Sequence, residues 1–464
     1  MRVVLIFILV LLCKVALGAD YSGTLPVFFI TTNEGKAIDS KTDYVDATFY
    51  VETFGLDGYV AVGSVMQQQP VKIRGRGNWT WKSFDKKPYK IKLESGMPLL
   101  GMAKNKHFAL LAHADYSNAF FRNTCGFELG RMLGLQFVPH QQPVELMLNG
   151  EYMGLYFLTE TVRVGKNRVN ITEQENGETN SYNITGGWLV EIDNYPDDHQ
   201  VIISTRGTNL ALFRITYSSP DSLSWMQRSY LREQMTELLR TVYLSDKNSQ
   251  EWEQILDLPS LTRYYLACEI VDHIEAFLGS CYMFKDRGDE QWKFGPMWDL
   301  GHAFNSWHAK TRFIYDYDTW EPCIMAEIAK FPRFQQSVKE LWNSFYPDSL
   351  QPVFPFMDQF ALQINEAARC DYERWGGKYG TSDAIAMKDE CIGKMREKVA
   401  WLDSMWGENS RVADCLSSDN AVSIEFYDLN GRKLDSTNGH NIYIKKVRNV
   451  DGKVKTSKIM NDNL

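Results

Sequence analysis

Hydrophobic and polar residues alternate along much of the first half of the chain, and this period of two predicts β-strands. In one segment Tyr89, Ile91 and Leu93 point to one face. Lys90 and Lys92 point to the opposite face of the same segment. The predicted strands are Leu25–Thr31, Thr48–Thr53, Val71–Ile73, Pro88–Glu94, Val144–Leu148 and Tyr152–Thr159, with an Asn149-Gly150 hairpin turn between the last two.

From about residue 222 onward the hydrophobic positions recur with the period of a helix. An earlier helix is predicted after Ser117, with Phe121, Cys125 and Met132 on its apolar stripe. The later elements are helices at Trp225–Leu244, Leu261–Leu278, Cys323–Tyr346, Pro355–Trp375 and Ser382–Trp406, and a hairpin of Tyr282–Lys285 with Trp292–Phe294. A strand-rich part followed by a helix-rich part predicts an α+β fold of two lobes with a cleft between them.

Residues from about 420 onward have a different character. Short strand patterns at Ala421–Tyr427, Asn441–Lys446 and Lys453–Lys458 lie in a polar setting rich in Gly and Asn. A turn is predicted at Asp428–Gly431, and a Ser/Asp-rich linker at Ser417–Asn420 precedes the first of these strands. We therefore expect a separate small β module over residues 420–464.

The N-terminus has the features of an export signal. MRVVLIFILVLLCKVALG combines the basic Arg2, a short apolar core, and the small residues Ala16 and Gly18 at the cleavage positions. Residues 1–18 are thus a predicted signal peptide, too short to serve as a membrane span. We expect no transmembrane segment and a mature protein in the periplasm, on the cell surface or outside the cell.

Composition narrows the classes of protein that the chain can belong to. The 464 residues are 44% hydrophobic, which suits a large core, and the net charge of −8 argues against a nucleic-acid binder. Of eight cysteines, Cys13 lies in the signal, and the remaining seven form no CxxC pair that would suggest structural zinc. An oxidising compartment permits disulfides, for which Cys370 and Cys391 are one candidate pair.

Two segments of the first half could bind anions. Arg74-Gly-Arg-Gly-Asn78 places the guanidinium groups of Arg74 and Arg76 on a tight backbone that suits phosphate oxygens. Glycine turns with surface arginines are also common, so the motif alone is weak. Lys86–Lys92 is likewise typical of a solvated strand face.

Glu128 falls on the apolar stripe of the first helix, where a carboxylate needs a partner. Lys90 or Lys92, on a neighbouring strand, would supply one. The alternative is a solvated glutamate at the edge of the helix.

A second group of acids is centred on Asp299, which stands between Trp298 and Leu300. Burial of an acid in such an apolar run needs compensation. Glu275 and His273 would face Asp299 if the chain leaves the helix there, which would make an oxygen-rich site for Mg²⁺ or Mn²⁺. The alternatives are a zinc site that uses His273, His302 or His308, although HExxH is absent, and an acidic helix face in water.

Read together, these segments resemble the CotH family, the spore-coat-type atypical protein kinases. The similarity spans roughly residues 25–405 and rests on RGRGNWTW, KKPYKIKL, LLGMAKNKHFALLA, FFRNTCGFELGRMLGL, VELMLNGEYMGLYFLTETV, KNRVNI, GGWLVEID, CYMFKD and GPMWDLGHAF. The resemblance implies a protein-kinase-like fold over residues 19–415, with an N-lobe to about residue 160 and a C-lobe from 161.

The resemblance also implies roles for individual residues. Lys90 or Lys92 would bind nucleotide phosphates and pair with Glu128, as the lysine–glutamate pair of kinases does. Glu160, in the Leu158-Thr-Glu160 segment, would lie near the hinge. Asp299 matches the metal-binding aspartate of the family's W-D-[FY]-[DN] motif, so the implied cofactors are ATP and Mg²⁺ or Mn²⁺.

Two positions depart from the family pattern. His273-Ile-Glu275 stands where the family has N-x-D, with a side chain one methylene longer, and Gly301 replaces the second acid of the metal motif. The implied activity is transfer of the γ-phosphoryl group of ATP to a hydroxyl of a protein acceptor, with Glu275 and Asp299 as catalytic residues. The alternative is a non-catalytic nucleotide-binding or surface protein on the same scaffold.

The tail, IEFYDLNGRKL…NIYIKKVRNVDGKVKTSKIM, is similar to C-terminal modules of type IX-secreted proteins of Bacteroidetes-like bacteria. That similarity implies an interaction of the module with a secretion machinery and passage across the outer membrane.

Overall fold

The computed structural model describes most of the chain in two compact units, Met1–Val399 and Ala400–Leu464. The described residues are 21–193, 195, 198–204, 206–208, 213–304, 311–316, 323–407, 421–427, 432–434, 442–449 and 454–460. The predicted signal peptide, the 417–420 linker and the 428–431 turn lie outside them. The predicted lobe boundary near residue 160 stays a prediction.

Seven strands of the first unit close into a barrel in the order β1-β2-β3-β4-β5-β7-β6. They are β1 (Val27–Thr32), β2 (Val45–Glu52), β3 (Gln69–Gly75), β4 (Tyr89–Leu99), β5 (Met102–Leu111), β6 (Gln141–Leu148) and β7 (Glu151–Glu160). β1 pairs in parallel with β6, whereas the other neighbours are antiparallel. The inward residues, among them Ile73, Ile91 and Phe108, form a buried apolar core.

The alternating pattern located most of these strands but not the closure of the barrel. Asn149 and Gly150 both have positive φ, 53° and 81°, which confirms the hairpin turn predicted between β6 and β7. The parallel pairing of β1 with β6 joins Val27 to Glu145, far apart in the chain. A strand pattern carries no information about such a partner.

A second antiparallel sheet has the order β12-β11-β8-β10-β9. Its strands are β8 (Trp188–Ile192), β9 (Gln200–Ile203), β10 (Phe213–Ser219), β11 (Cys281–Lys285) and β12 (Lys293–Phe294). The β11–β12 hairpin confirms the one predicted from the sequence. The combination of strands with helices in the described residues confirms an α+β protein.

The described helices are α1 (Trp79–Ser83), α2 (Ala119–Met132), α3 (Trp225–Leu244), α4 (Leu258–Ile270), α5 (Ile324–Ile328), α6 (Pro332–Phe345), α7 (Val353–Arg374) and α8 (Ala384–Trp406). The helix expected over 261–278 ends earlier, because Asp272 adopts a left-handed backbone with φ of 53°. The helix expected over 323–346 is two helices, and Pro332 begins the second. α2 starts after Asn118 rather than Ser117. None of the helices described is both long and apolar enough to cross a bilayer.

The second unit contains one antiparallel sheet in the order β14-β13-β15-β16. Its strands are β13 (Ala421–Tyr427), β14 (Lys433–Leu434), β15 (Ile442–Asn449) and β16 (Val454–Met460). The β pattern read from the sequence therefore corresponds to strands.

The candidate disulfide between Cys370 and Cys391 is wrong, because both are free thiols. Cys370 packs beside Tyr21, Val27 and Met147, whereas Cys391 is buried on α8.

Candidate functional site

A cavity of about 850 Å³ opens in the first unit and collects most of the predicted site residues. Its walls come from the β3–β4 region, the start of α2, the end of β8, the turn after α4 and the loop around Asp299. The predicted residues that line it are Arg74, Arg76, Asn78, Lys90, Glu275 and Asp299. The cavity lining does not include Lys92, Glu128 or Glu160.

One wall of the cavity is cationic. Arg74 on β3 and Lys90 on β4 are directly opposite each other in the antiparallel pair. Like charges in that relation destabilise a sheet. The pKa of Lys90 is lowered to about 8 by burial and by the nearby Arg74 and Arg76. A bound anion would relieve this repulsion, so the wall has the chemistry of a phosphate site.

The segment after β3 carries two further polar groups into the cavity. Gly77 has φ of 83°, a left-handed conformation that glycine adopts without strain, and it turns the chain into α1. The guanidinium of Arg76 lies over the ring of Trp298 at 5.3 Å. Lys41 donates from Nζ to Oδ1 of Asn78 at 2.9 Å. The sequence motif at 74–78 therefore lies against the loop that carries Asp299.

Helix α2 fixes the Asp299 loop through close backbone contacts. Asn123 accepts the backbone N–H of Leu300 at 2.8 Å, and Arg122 donates to the carbonyl of Gly301. A Cβ on Gly126 would collide with the side chain of Leu300, and one on Gly130 would lie 2.7 Å from Sδ of Met297. The loop thus packs directly on glycine backbone.

We expect Gly126→Ala to lower the free energy of unfolding by about 1–3 kcal/mol, because the added methyl overpacks the contact with Leu300. Urea denaturation measures the change. Gly393→Ala is the matched control, since Gly393 also lies in a helix and its Cβ would meet nothing within 4 Å. The free energy of unfolding of that control should rise by up to about 1 kcal/mol, because alanine has a higher helix propensity than glycine. Equal gains in both variants would contradict the packing argument.

Asp299 points into the cavity from a backbone with φ of 53°. Its side chain is exposed to the cavity, but the many protein atoms around it reduce its hydration. Burial raises its pKa above the ordinary value, and the nearby Arg76 and Arg122 act in the opposite direction.

Glu275, in the turn after α4, is a second acid that lines the cavity beside Asp299. Burial and the charges of Asp299 and Asp193 raise its pKa to about 7. Nε2 of His302 lies 3.3 Å from Oε2 of Glu275, and burial lowers the pKa of His302. The structure therefore brings Glu275 and Asp299 together, as the sequence suggested.

Of the histidines in the zinc alternative, His302 lines the cavity together with Asp299, whereas His273 does not. His273 is buried outside the cavity lining, and burial lowers its pKa to about 3. His302 contacts Glu275, and His308 lies outside the described residues.

The donor set suits a divalent cation that is shared with phosphates. In the described part of the chain, no three His, Cys, Asp or Glu side chains are grouped as a metal site. Magnesium, however, commonly binds through one or two carboxylates together with substrate phosphates. The negative charge of Asp299 raises the pKa of Glu275, and a bound cation would offset that charge, while the cationic wall would hold the phosphates.

Glu128 does not have the predicted partner. It pairs with Arg131 on its own helix, Nε to Oε2 at 3.2 Å. Lys90 faces the cavity instead, and Lys92 is exposed on the same strand face. The predicted contact of Glu128 with either lysine is therefore absent from this structure.

Glu160 is also engaged away from the cavity. Its carboxylate accepts from Arg168 at 2.6 Å and from the backbone N–H of His140 at 3.0 Å. These bonds connect the end of β7 to the residue just before β6 and to the segment that follows β7.

Sequence reasoning missed a buried ion pair at the cavity wall, where Lys86 is one of the lining residues. Lys86, interpreted as part of a solvated strand face, is fully buried and lies 2.7 Å from Asp371 on α7. Lys86 also donates to the carbonyl of Leu155, and Asp371 accepts the N–H of the same residue. Lysine in a basic run gives no signal of such burial.

The buried Arg122 was missed as well. It contacts Asp115 at 3.3 Å and donates from Nε to Asn118. Its i, i+4 relation to Asn118 was visible in the sequence, but nothing there indicated that both side chains face the Asp299 loop.

Comparison with known proteins places this site in a family. No curated protein matches the chain. A family model described as CotH kinase protein matches residues 73–400, which is more than half of the 464 residues and includes every cavity residue discussed above from Arg74 to His302. The chain belongs to the CotH kinase protein family.

Proposed function

We propose that the protein is an atypical kinase that transfers the γ-phosphoryl group of ATP to a hydroxyl of a protein acceptor. The observation that carries this proposal is the pairing of two walls in one cavity. Arg74, Arg76 and Lys90 form the cationic wall, and Glu275 and Asp299 form the acidic one. Membership in the CotH kinase family supports it.

Each wall has a separate task in this proposal. Arg74, Arg76 and Lys90 hold the phosphates, and Asp299 holds Mg²⁺ or Mn²⁺. When bound, the metal neutralises charge on the phosphates. A two-lobed, kinase-like arrangement would bring the walls to either side of the nucleotide.

Glu275 is the group that would take the proton of the acceptor hydroxyl. The acceptor oxygen forms a bond to the γ-phosphorus while the bond from that phosphorus to the β-phosphate oxygen breaks, and ADP leaves. A general base works best with a pKa near the operating pH, and the pKa of about 7 suits this role.

Glu275 accepts a proton only in its ionised form, so we expect phosphate transfer to fall as the pH drops below its pKa. That pKa is about 7 without metal and would be lower when a cation offsets the charge of Asp299. Glu275→Gln should remove the transfer, typically by 10²–10⁴-fold, while ATP binding persists. Labelled ATP with a generic protein acceptor measures transfer across pH 5–9. A flat profile with full activity of the variant would contradict the role of Glu275.

The raised pKa of Glu275 also makes the stability of the nucleotide-free protein depend on pH. The folded pKa of Glu275 lies above its ordinary value of 4.5, so the folded state binds more protons than the unfolded state between about pH 4.5 and 7. The contribution of Glu275 to stability is therefore greatest below pH 4.5. It declines as the pH rises through about 7.

A second candidate function is nucleotide binding without transfer. The observation that favours it is Gly301, which stands where the family pattern has a second metal-binding acid. Gly301 does not have a positive φ, and its Cβ would lie 3.4 Å from Oδ1 of Asp299. Glu275→Asp combined with Gly301→Asp should raise transfer if the enzyme is only impaired. Nucleotide binding with no transfer by parent or variant would favour the binding protein.

We also propose that the chain is exported by its N-terminal signal and that its C-terminal module engages a type IX-like secretion machinery of a Bacteroidetes-type bacterium. The leader MRVVLIFILVLLCKVALG and the β pattern of the tail support this. The mass of the mature protein recovered from the medium or the cell surface tests it. Retention of residues 1–18 in a cytoplasmic product would contradict export.

A further inference from the structure

Trp79 is an exposed aromatic side chain that the proposed mechanism does not use. It is the first residue of α1, lines the cavity, and leaves 47% of its surface exposed. Phe84 packs edge-on against it, with ring centroids 4.7 Å apart, and Phe84 itself packs edge-on against Tyr379. The ring of Trp79 is thus supported from one side while it remains open to the cavity.

Two other aromatic rings of the cavity are already covered. The guanidinium of Arg122 lies 4.2 Å from the centre of the Tyr116 ring. Trp298 stacks near Phe127, has Arg76 over its ring and is only 8% exposed. Trp298 is thus too buried to stack on a planar ligand, and Arg122 already occupies one face of Tyr116.

Tyr195 is as open as Trp79, at 49% exposure, but it lies in the acidic part of the cavity. Burial, together with the charges of Glu275, Asp193 and Asp299, raises the pKa of its hydroxyl. That part of the cavity suits a metal ion and the acceptor hydroxyl rather than a nucleobase.

Trp79 instead follows the cationic segment directly. It is three residues after Arg76, and the left-handed turn at Gly77 lies between them. A nucleotide joins its phosphates to its base through a single ribose, so the base must lie next to the phosphate site. An open indole face is a surface on which nucleobases stack.

We propose that Trp79 is the base-binding subsite of the nucleotide, where the adenine ring stacks on the indole. This inference rests on the proposed function, in which Arg74, Arg76 and Lys90 hold the phosphates. It adds a residue that distinguishes a nucleotide from a bare polyphosphate.

Isothermal titration of the full chain with Mg²⁺ and either ATP or inorganic tripolyphosphate tests the subsite. Trp79→Leu should weaken ATP binding roughly tenfold and leave tripolyphosphate binding unchanged, since only ATP carries a base. Trp79→Phe, which keeps an aromatic face, should recover most of the ATP affinity. Trp225→Leu is the matched control, because Trp225 is 81% exposed at the start of α3 and lies outside the cavity lining.

Other results of these titrations would contradict either the base subsite or the nucleotide function. Equal weakening of ATP and tripolyphosphate by Trp79→Leu would show that Trp79 shapes the phosphate site, and unchanged ATP binding would remove it from the nucleotide site. Either result leaves the kinase proposal intact. If the parent protein binds neither ligand, the nucleotide function fails and the base subsite fails with it.

Discussion

Asp299→Asn is expected to abolish the Mg²⁺-dependent stabilisation of the protein by ATP. The amide keeps the size of the side chain and tolerates the left-handed backbone at φ of 53°, but it loses the charge that would hold the metal. At a nucleotide concentration of 100 times Kd, the stabilisation lost is about 2.7 kcal/mol. Thermal unfolding with ATP, with and without Mg²⁺, measures it.

Asp39→Asn is the control for this variant, since Asp39 is exposed and outside the cavity lining. It should keep the full shift in melting temperature. Asp299→Asn should also bring the pKa of Glu275 down from about 7, because the charge of Asp299 is one of the causes of that elevation. The same ATP-dependent shift in both variants would exclude Asp299 as the metal-binding residue.

Lys86→Met is expected to destabilise the fold by about 3–5 kcal/mol. Lys86 and Asp371 are fully buried 2.7 Å apart, so loss of the ammonium leaves a carboxylate charge in the interior without its counterion. Urea denaturation at pH 7 measures the loss. Lys86→Met combined with Asp371→Asn should recover much of it, because the amide carries no charge and can still accept the N–H of Leu155.

Lys378→Met is the control, because it removes the lysine of an exposed ion pair and so shows the energetic effect of pairing without burial. Lys378 and Asp85 are 3.4 Å apart with side chains 65% and 71% exposed, and exposed pairs contribute about 0–1 kcal/mol. Equal effects of Lys86→Met and Lys378→Met would mean that burial of the Lys86 pair has no energetic consequence.

The residues of the candidate site could be predicted to different degrees. Arg74, Arg76 and Asn78 lie within one short segment, so the sequence itself placed them together. Glu275 was predicted to face Asp299 because a carboxylate in an apolar run needs a metal ion or another partner, and both residues line the cavity. Trp79 stood in the same motif as the arginines, and only its exposure in the folded chain indicated a role.

The partners of individual charges could not be predicted in the same way. Glu128 pairs with Arg131, three residues along its own helix, rather than with a lysine of β4. Lys86 and Lys90 stand in one basic run and both line the cavity, yet Lys86 is fully buried in an ion pair with Asp371 of α7, whereas Lys90 lies opposite Arg74. Which charge meets which depends on positions fixed by tertiary packing.

The sequence by itself determined much of the local structure of this protein. The alternation of apolar and polar residues located most barrel strands, Asn149-Gly150 fixed a hairpin, and the helical period gave α3 with its observed bounds. These features follow from residues within one or two turns of each other. Only the tertiary structure decided the closure of β1 onto β6, the pairing of Lys86 with Asp371 and the packing of the Asp299 loop on Gly126. Each of these contacts joins residues distant in the chain, whose meeting depends on the simultaneous packing of several elements.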